Sequence, residues 1–128
     1  MKKQPTFTEL EILGILWERK SATVREVFEI VNQERKVAYT TILKMMQIML
    51  EKDFLERDSA NKSHVFTAKL SRENVIAELL DKIFRGSTKE LVESILKAKK
   101  TSPEEIKEIR KALKTRKVKK IKGEKVKK

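Results

Sequence analysis

The stretch from Val37 to Lys52, VAYTTILKMMQIMLEK, constrains this chain more than any other. Ile42, Met45, Met46 and Met49 recur at i, i+3, i+4 and i+7, the spacing that lines up one side of a 3.6-residue helix. The opposite side carries Tyr39, Thr40, Thr41, Lys44 and Gln47, all able to donate hydrogen bonds, and no acidic residue intervenes before Glu51. An anion can therefore approach that face without meeting a carboxylate. An ordinary amphipathic helix with a wet outer face shows the same periodicity, so the neighbouring segments must decide between the two readings.

Upstream, Thr8 fits an N-cap, with Glu9 and Glu11 in the first turn and Arg19 and Lys20 near the end of a helix. Leu10, Leu13, Leu16 and Trp17 share one side of it and predict a core helix. On such a face Trp17 reads as core rather than as a platform for a stacked base. Gly14 is either a weak point of the helix or a place where another backbone comes close, and close packing is the favoured of the two. After the connector Ser21-Ala22, the run Thr23-Val24-Arg25-Glu26 fits a capping box, and a short helix to about Glu34 buries Val27, Phe28 and Val31. The basic pair Arg35-Lys36 leaves only a few residues before the next helix, which sets the two helices at a steep angle, as in a helix-turn-helix. Downstream, Phe54 to Arg57 and His64 to Thr67 predict two short strands around the polar turn Asp58 to Ser63. Three helices followed by a hairpin with a lysine-bearing tip is the element order of a winged helix, an α+β arrangement that is mostly helical. In it the third helix enters the major groove and the hairpin reaches the flanking backbone.

The charge is unevenly placed. The net value is +12, yet residues 114–128 alone carry nine Lys or Arg against one acidic residue. Such a tail either solubilises the chain or attracts phosphate without reading sequence; it could prolong the last helix for a turn or two, but self-repulsion favours disorder. With no cysteine and only His64 among the histidines, disulfides, a thiol nucleophile and a conventional zinc site are excluded. No Gly-rich phosphate loop or paired catalytic constellation is present, so neither an enzyme nor a cofactor is expected. The N-terminus has no secretory apolar region and no run is long enough to span a bilayer. The chain reads as soluble and cytoplasmic.

From Ser71 the pattern is helical again. Ile76, Leu79, Leu80 and Ile83 lie on one broad side of a helix that Gly86 closes. Ser87 or Thr88 opens a second helix with Leu91 and Ile95, and Ser102-Pro103-Glu104-Glu105 opens a third with Ile106, Ile109 and Leu113. Three short helices with wide apolar stripes make a thin core alone, and pairing with a second copy would supply the missing burial. A two-fold dimer presents two reading helices to a palindromic site. The organisation expected is a winged helix over residues 1–70, helical dimerisation over 71–114 and a basic tail over 115–128.

Four pieces of the chain resemble a known family. They are Thr8-Glu9-Leu10-Glu11 with Ile15-Leu16-Trp17, then Ser21 to Val27, then Ala38-Tyr39-Thr40-Thr41-Ile42, and last His64 to Ala68. The chain looks like the penicillinase repressor and methicillin-resistance repressor family, which also includes copper-responsive repressors, in register over residues 5–114. The resemblance implies a homodimeric transcriptional repressor with an N-terminal winged helix for the operator and C-terminal helices for dimerisation. Two departures limit it. The antibiotic-responsive members are cut at an Asn-Phe bond where this chain has Ser94-Ile95, and the copper-responsive members use a cysteine motif that is absent here. The inducing signal is therefore not carried over.

The roles expected follow from side-chain chemistry. Thr40, Thr41 and Lys44 face base edges or the nearest phosphates, Leu43 meets a thymine methyl, and Tyr39 and Gln47 flank them. Arg25, Lys36, Asn61, Lys62 and His64 contact the backbone of double-stranded DNA and set register. The alternative from a different class is a helical protein-interaction adaptor whose lysine tail associates with nucleic acid non-specifically.

Overall fold

The computed structural model describes residues 4–58, 60 and 64–123, with 116–123 as backbone only. The elements are α1 (Phe7–Arg19), α2 (Val24–Glu34), α3 (Tyr39–Glu51), β1 (Leu55–Asp58), β2 (Val65–Ala68), α4 (Arg72–Phe84), α5 (Thr88–Ala98) and α6 (Pro103–Gly123). This is the α+β winged helix expected from the element order. The chain divides between Ile83 and Phe84 into two compact units.

The first unit is built on caps that the sequence dictates. Thr23 opens α2 as expected: its hydroxyl accepts from the Glu26 amide at 3.1 Å while the Glu26 carboxylate accepts from the Thr23 amide at 2.9 Å. The start of α1 differs from expectation, because Thr6 rather than Thr8 is the N-cap. The Thr6 hydroxyl accepts from the Glu9 amide at 3.2 Å, and the Thr6 amide donates to the Glu9 carboxylate at 2.9 Å. Both Thr6 and Thr8 have a glutamate three residues on, so local pattern alone does not choose between them. Tertiary contacts choose. Glu9 is 5% exposed and accepts a 2.7 Å hydrogen bond from Lys52, which closes the far end of α3, whereas Glu11 accepts from Arg35 at 2.7 Å on the surface.

Ile12, Leu13 and Leu16 of α1, Val27 and Val31 of α2 and Ile42, Met46 and Met49 of α3 are fully buried and form one core with Phe54, Leu55 and Phe66. Trp17 packs against this core and donates from its indole to the Leu70 carbonyl at 2.9 Å, the core role expected of it. Gly14 does not fulfil its expectation. It is exposed, and a Cβ there would meet nothing within 4 Å. With no backbone close by, only the entropic cost of glycine in a helix remains. Gly14→Ala is therefore expected to stabilise the protein by about 0.5–1 kcal/mol, visible in thermal melts as a rise of about 2–5 °C. A close approach at this position would have given the opposite sign.

The hairpin pairs antiparallel, Leu55 with Ala68 and Arg57 with Phe66. Phe66 also exchanges two backbone hydrogen bonds with Ala22, at 3.1 and 2.9 Å. The connector after α1 is thus a one-residue third strand that ties the wing to the start of α2. The feature is too short to leave a periodic signal in the sequence.

Glu9 couples α1 to α3 electrostatically. Burial alone would push its carboxyl up, but the hydrogen bond and charge of Lys52, together with the Thr6 amide and hydroxyl, outweigh burial and hold it below the ordinary carboxylate range. The folded protein consequently binds fewer protons here than the unfolded chain, so the contribution is complete above the unfolded value of about 4.3 and is lost as pH falls through the lower folded value. In urea melts, Glu9→Gln is expected to cost about 1–2 kcal/mol at pH 7, as charged hydrogen bonds do. The difference from the parent should shrink as the buffer is taken toward pH 3.

α4 belongs mostly to the first unit: Val75 is buried, and Gln4 donates to Glu78. Ser71 caps it through the Asn74 amide at 3.0 Å, and Gly86 closes it with φ 85°. The sequence boundary at 70/71 marks the change from hairpin to helix, while the packing divides thirteen residues later. In the second unit Ser87 caps α5 and Ser102 caps α6 through the Glu90 and Glu105 amides, at 3.2 and 3.1 Å. α6 continues to Gly123, the prolongation of the last helix that the sequence left open. Lysine and arginine are good helix formers, and no proline or glycine interrupts α6 after Pro103 until Gly123; over this length propensity outweighs repulsion. Positions 124–128 lie outside the described residues.

Candidate nucleic-acid interface

The α2–α3 connection presents the outer face of α3. The Arg35 guanidinium is drawn to Glu11, whose hydrogen bond and charge raise its already high pKa. Asn32 accepts from the Val37 amide at 3.2 Å and steadies the turn. Lys36, expected at the DNA backbone, remains exposed. Ala38 is the N-cap of α3 and has no side-chain acceptor, and the first-turn bonds to its carbonyl come from Thr41 and Ile42. The Tyr39 and Thr40 amides are thus left facing outward at the positive end of the helix dipole.

Thr40, Thr41, Lys44 and Gln47 are all exposed, and Thr40, Lys44 and Gln47 recur at i, i+4 and i+7 on one face of α3. They span roughly 10 Å along the axis at 1.5 Å per residue, a length suited to about three base pairs. Tyr39 and Leu43 are half-buried and pack against the core, so Leu43 presents only an edge outward. Arg25 lies with its guanidinium 5.0 Å from the Tyr39 ring and 5.9 Å from the Phe28 ring. Those rings meet edge to face at 5.6 Å, a stack that fixes the direction of the cation.

A cleft of ≈520 Å³ opens where three elements converge. The start of α2 contributes Thr23, Val24 and Arg25, α3 contributes Tyr39, Leu43 and Gln47, and the hairpin contributes Arg57, His64 and Phe66. Among the described residues no acidic side chain lines it. Five of the sequence-derived candidates, Arg25, Tyr39, Leu43, Gln47 and His64, therefore meet at one place. Thr40, Thr41, Lys44 and Lys36 do not line it. Asn61 and Lys62, expected at the wing tip, lie outside the described residues. Arg57 is the lining cation that sequence reasoning left in its strand, because its direction depends on a pairing register that the sequence does not print.

The apolar candidates expected at a dimer interface stand as follows. Leu79, Leu80, Leu91 and Ile106 are half-buried, and Ile76, Ile83, Ile95, Ile109 and Leu113 are exposed, Leu113 to 63%. Val92 and Leu96 on α5 are exposed as well, and no residue of α5 is buried. Among the described residues no group of three or more His, Cys, Asp or Glu side chains could hold a metal ion, and no helix is long and apolar enough to cross a membrane.

A winged helix whose third helix turns an acid-free, donor-rich face outward, with a basic cleft beside its wing, is a DNA-binding regulator by class. The chain belongs to the penicillinase repressor family, whose profile matches residues 5–115. It is 23% identical over 106 residues to the methicillin resistance regulatory protein of Mammaliicoccus sciuri, covering 80% of this chain and 86% of that protein. It is 20% identical over 109 residues to the penicillinase repressor of Staphylococcus aureus, covering 82% and 86%. Membership makes the chain a transcriptional repressor and not an enzyme.

Proposed function

We propose that the protein is a homodimer that represses transcription in the cytoplasm by occupying a palindromic operator. Each α3 lies in a major groove, with Thr40, Thr41 and Lys44 at base edges and Tyr39, Leu43 and Gln47 beside them. Arg25, Lys36 and His64, with Asn61 and Lys62 of the turn, hold the phosphate backbone. The observation that carries this reading is the exposed, acid-free face of α3 joined to a cleft with three basic side chains. The unpartnered first-turn amides of α3 add to it, since helix N-termini favour phosphate.

Dimerisation through the C-terminal helices has its support in α5 and α6, whose apolar side chains find too little cover within their own unit. The experiment is a salt titration that compares genomic fragments with random duplex, using the intact chain and a version ending at Leu113. Retention of the same fragments near physiological salt by both proteins is the expected result, with the intact chain steeper in its salt dependence through counterion release. If all affinity leaves with residues 114–128, the operator reading fails, and an adaptor with a non-specific basic tail replaces it.

A further inference from the structure

Arg57 occupies an unusual position in its strand. Directly paired residues on antiparallel strands project to the same face, and faces alternate along each strand. Leu55 with Ala68 and Arg57 with Phe66 are therefore the inward pairs of the hairpin, and Glu56 with Thr67 and Asp58 with Val65 the outward ones. Leu55 and Phe66 obey this and are buried. Arg57 sits at the next inward position, where an apolar residue would continue the core, yet it is exposed. At that level the core meets the cleft, since the partner Phe66 is buried in the one and lines the other.

Its neighbours in the cleft are not acidic. Glu56 and Asp58 alternate with Arg57 along the strand and, with Asp53, border a separate cavity that Arg57 also lines, but among the described residues no carboxylate lies within 4.0 Å of the Arg57 guanidinium. Instead it shares the cleft with Arg25, held over the Tyr39 and Phe28 rings, and with His64 at the start of the other strand, whose backbone takes φ 52°. The Arg25 and Arg57 guanidiniums, converging from two segments without a counter-ion, repel one another, and the His64 imidazole beside them adds a hydrogen-bonding nitrogen. Such a cluster is stabilised by an anion placed between them.

We infer that Arg57 is a DNA contact that completes, with Arg25 and His64, a seat for one backbone phosphate beside the groove that receives α3. The assignment rests on the operator reading and deepens it by adding a residue and its target. The seat fixes register and carries no sequence information. Because Phe66 bonds to Ala22 in the connector before α2, the segments that carry Arg25, Arg57 and His64 are tied to one frame.

The test uses the full chain, its Arg57→Gln and Arg57→Lys variants, and a genomic fragment selected by the parent alongside random duplex. For Arg57→Gln, the slope of log K against log salt should become shallower by about 0.9 for each protomer bound, the value for one phosphate contact. The ratio of fragment to random affinity should stay within about twofold, as for a residue that contacts only the backbone. Arg57→Lys should restore the slope, since a point charge suffices for a phosphate. An unchanged slope in Arg57→Gln overturns the inference. A collapse of the fragment-to-random ratio overturns it differently, by making Arg57 a base reader. If the parent itself selects no fragment, the operator reading fails, and that result is distinct from either outcome in the variant.

Discussion

Lys44→Glu leaves a protein that folds and dimerises like the parent but no longer prefers selected genomic fragments. Lys44 is exposed at the middle of the outer face of α3, and among the described residues it has no ion-pair partner, so the folded state loses nothing when it is replaced. At the DNA the effect is large. A well-placed contact to a base edge contributes about 1–3 kcal/mol of discrimination, and a carboxylate adds repulsion from the acceptor atoms and phosphates nearby. In the proposed dimer two copies act in one complex. Affinity for the fragment should fall by at least about 100-fold, which is about 2.7 kcal/mol, while affinity for random duplex falls far less because the other cations remain. Fluorescence anisotropy at fixed salt measures both, and an unchanged melting temperature separates this result from unfolding. Equal losses on fragment and random duplex would show that Lys44 contacts phosphate only and would move the reading to Thr40 and Thr41.

The elements that could be read from the sequence are those whose signals are short-range and redundant. α2 was legible because a capping box at Thr23 and an apolar triplet agree, and α3 because its periodicity runs its full length. Three features were not legible, each for its own physical reason. The start of α1 offered two equivalent capping boxes, and only the burial of Glu9 against Lys52, forty-three residues away, decides between them. The role of Gly14 depends on what lies beyond its missing side chain, which no local pattern records. Arg57 looked like an ordinary polar strand residue until its partner Phe66 showed which face it shares. The end of α6 stayed open because charge repulsion and helix propensity act on the same lysines with opposite sign. For the candidate interface, side-chain chemistry named Arg25, Tyr39, Leu43, Gln47 and His64 but not Arg57; their convergence on one cleft needed the fold.

Ile95→Asp tests the other half of the proposed assembly, and here stability and association are coupled. α5 has eleven residues and none of them is buried, and Val92, Ile95 and Leu96 leave an apolar stripe uncovered on it. A helix that short is marginal in water without tertiary packing, so in the proposed dimer the second copy supplies the cover that makes the C-terminal unit stable. Aspartate at 95 places a charge in that interface from both protomers, and two desolvated, unpaired carboxylates cost far more than the contact they replace. In sedimentation equilibrium at micromolar concentration the parent should be dimeric and the variant monomeric. Helical ellipticity should fall on dissociation, and the parent's melting temperature should rise with protein concentration, as mass action requires of a coupled dimer. Fragment affinity should drop by at least about 100-fold as the second half-site is lost, which is about 2.7 kcal/mol. Unlike Lys44→Glu, the variant should keep its preference for fragment over random duplex. A dimeric Ile95→Asp variant with unchanged melting would move the interface away from α5, with Ile76 and Ile83 on α4 as the exposed apolar residues to replace next.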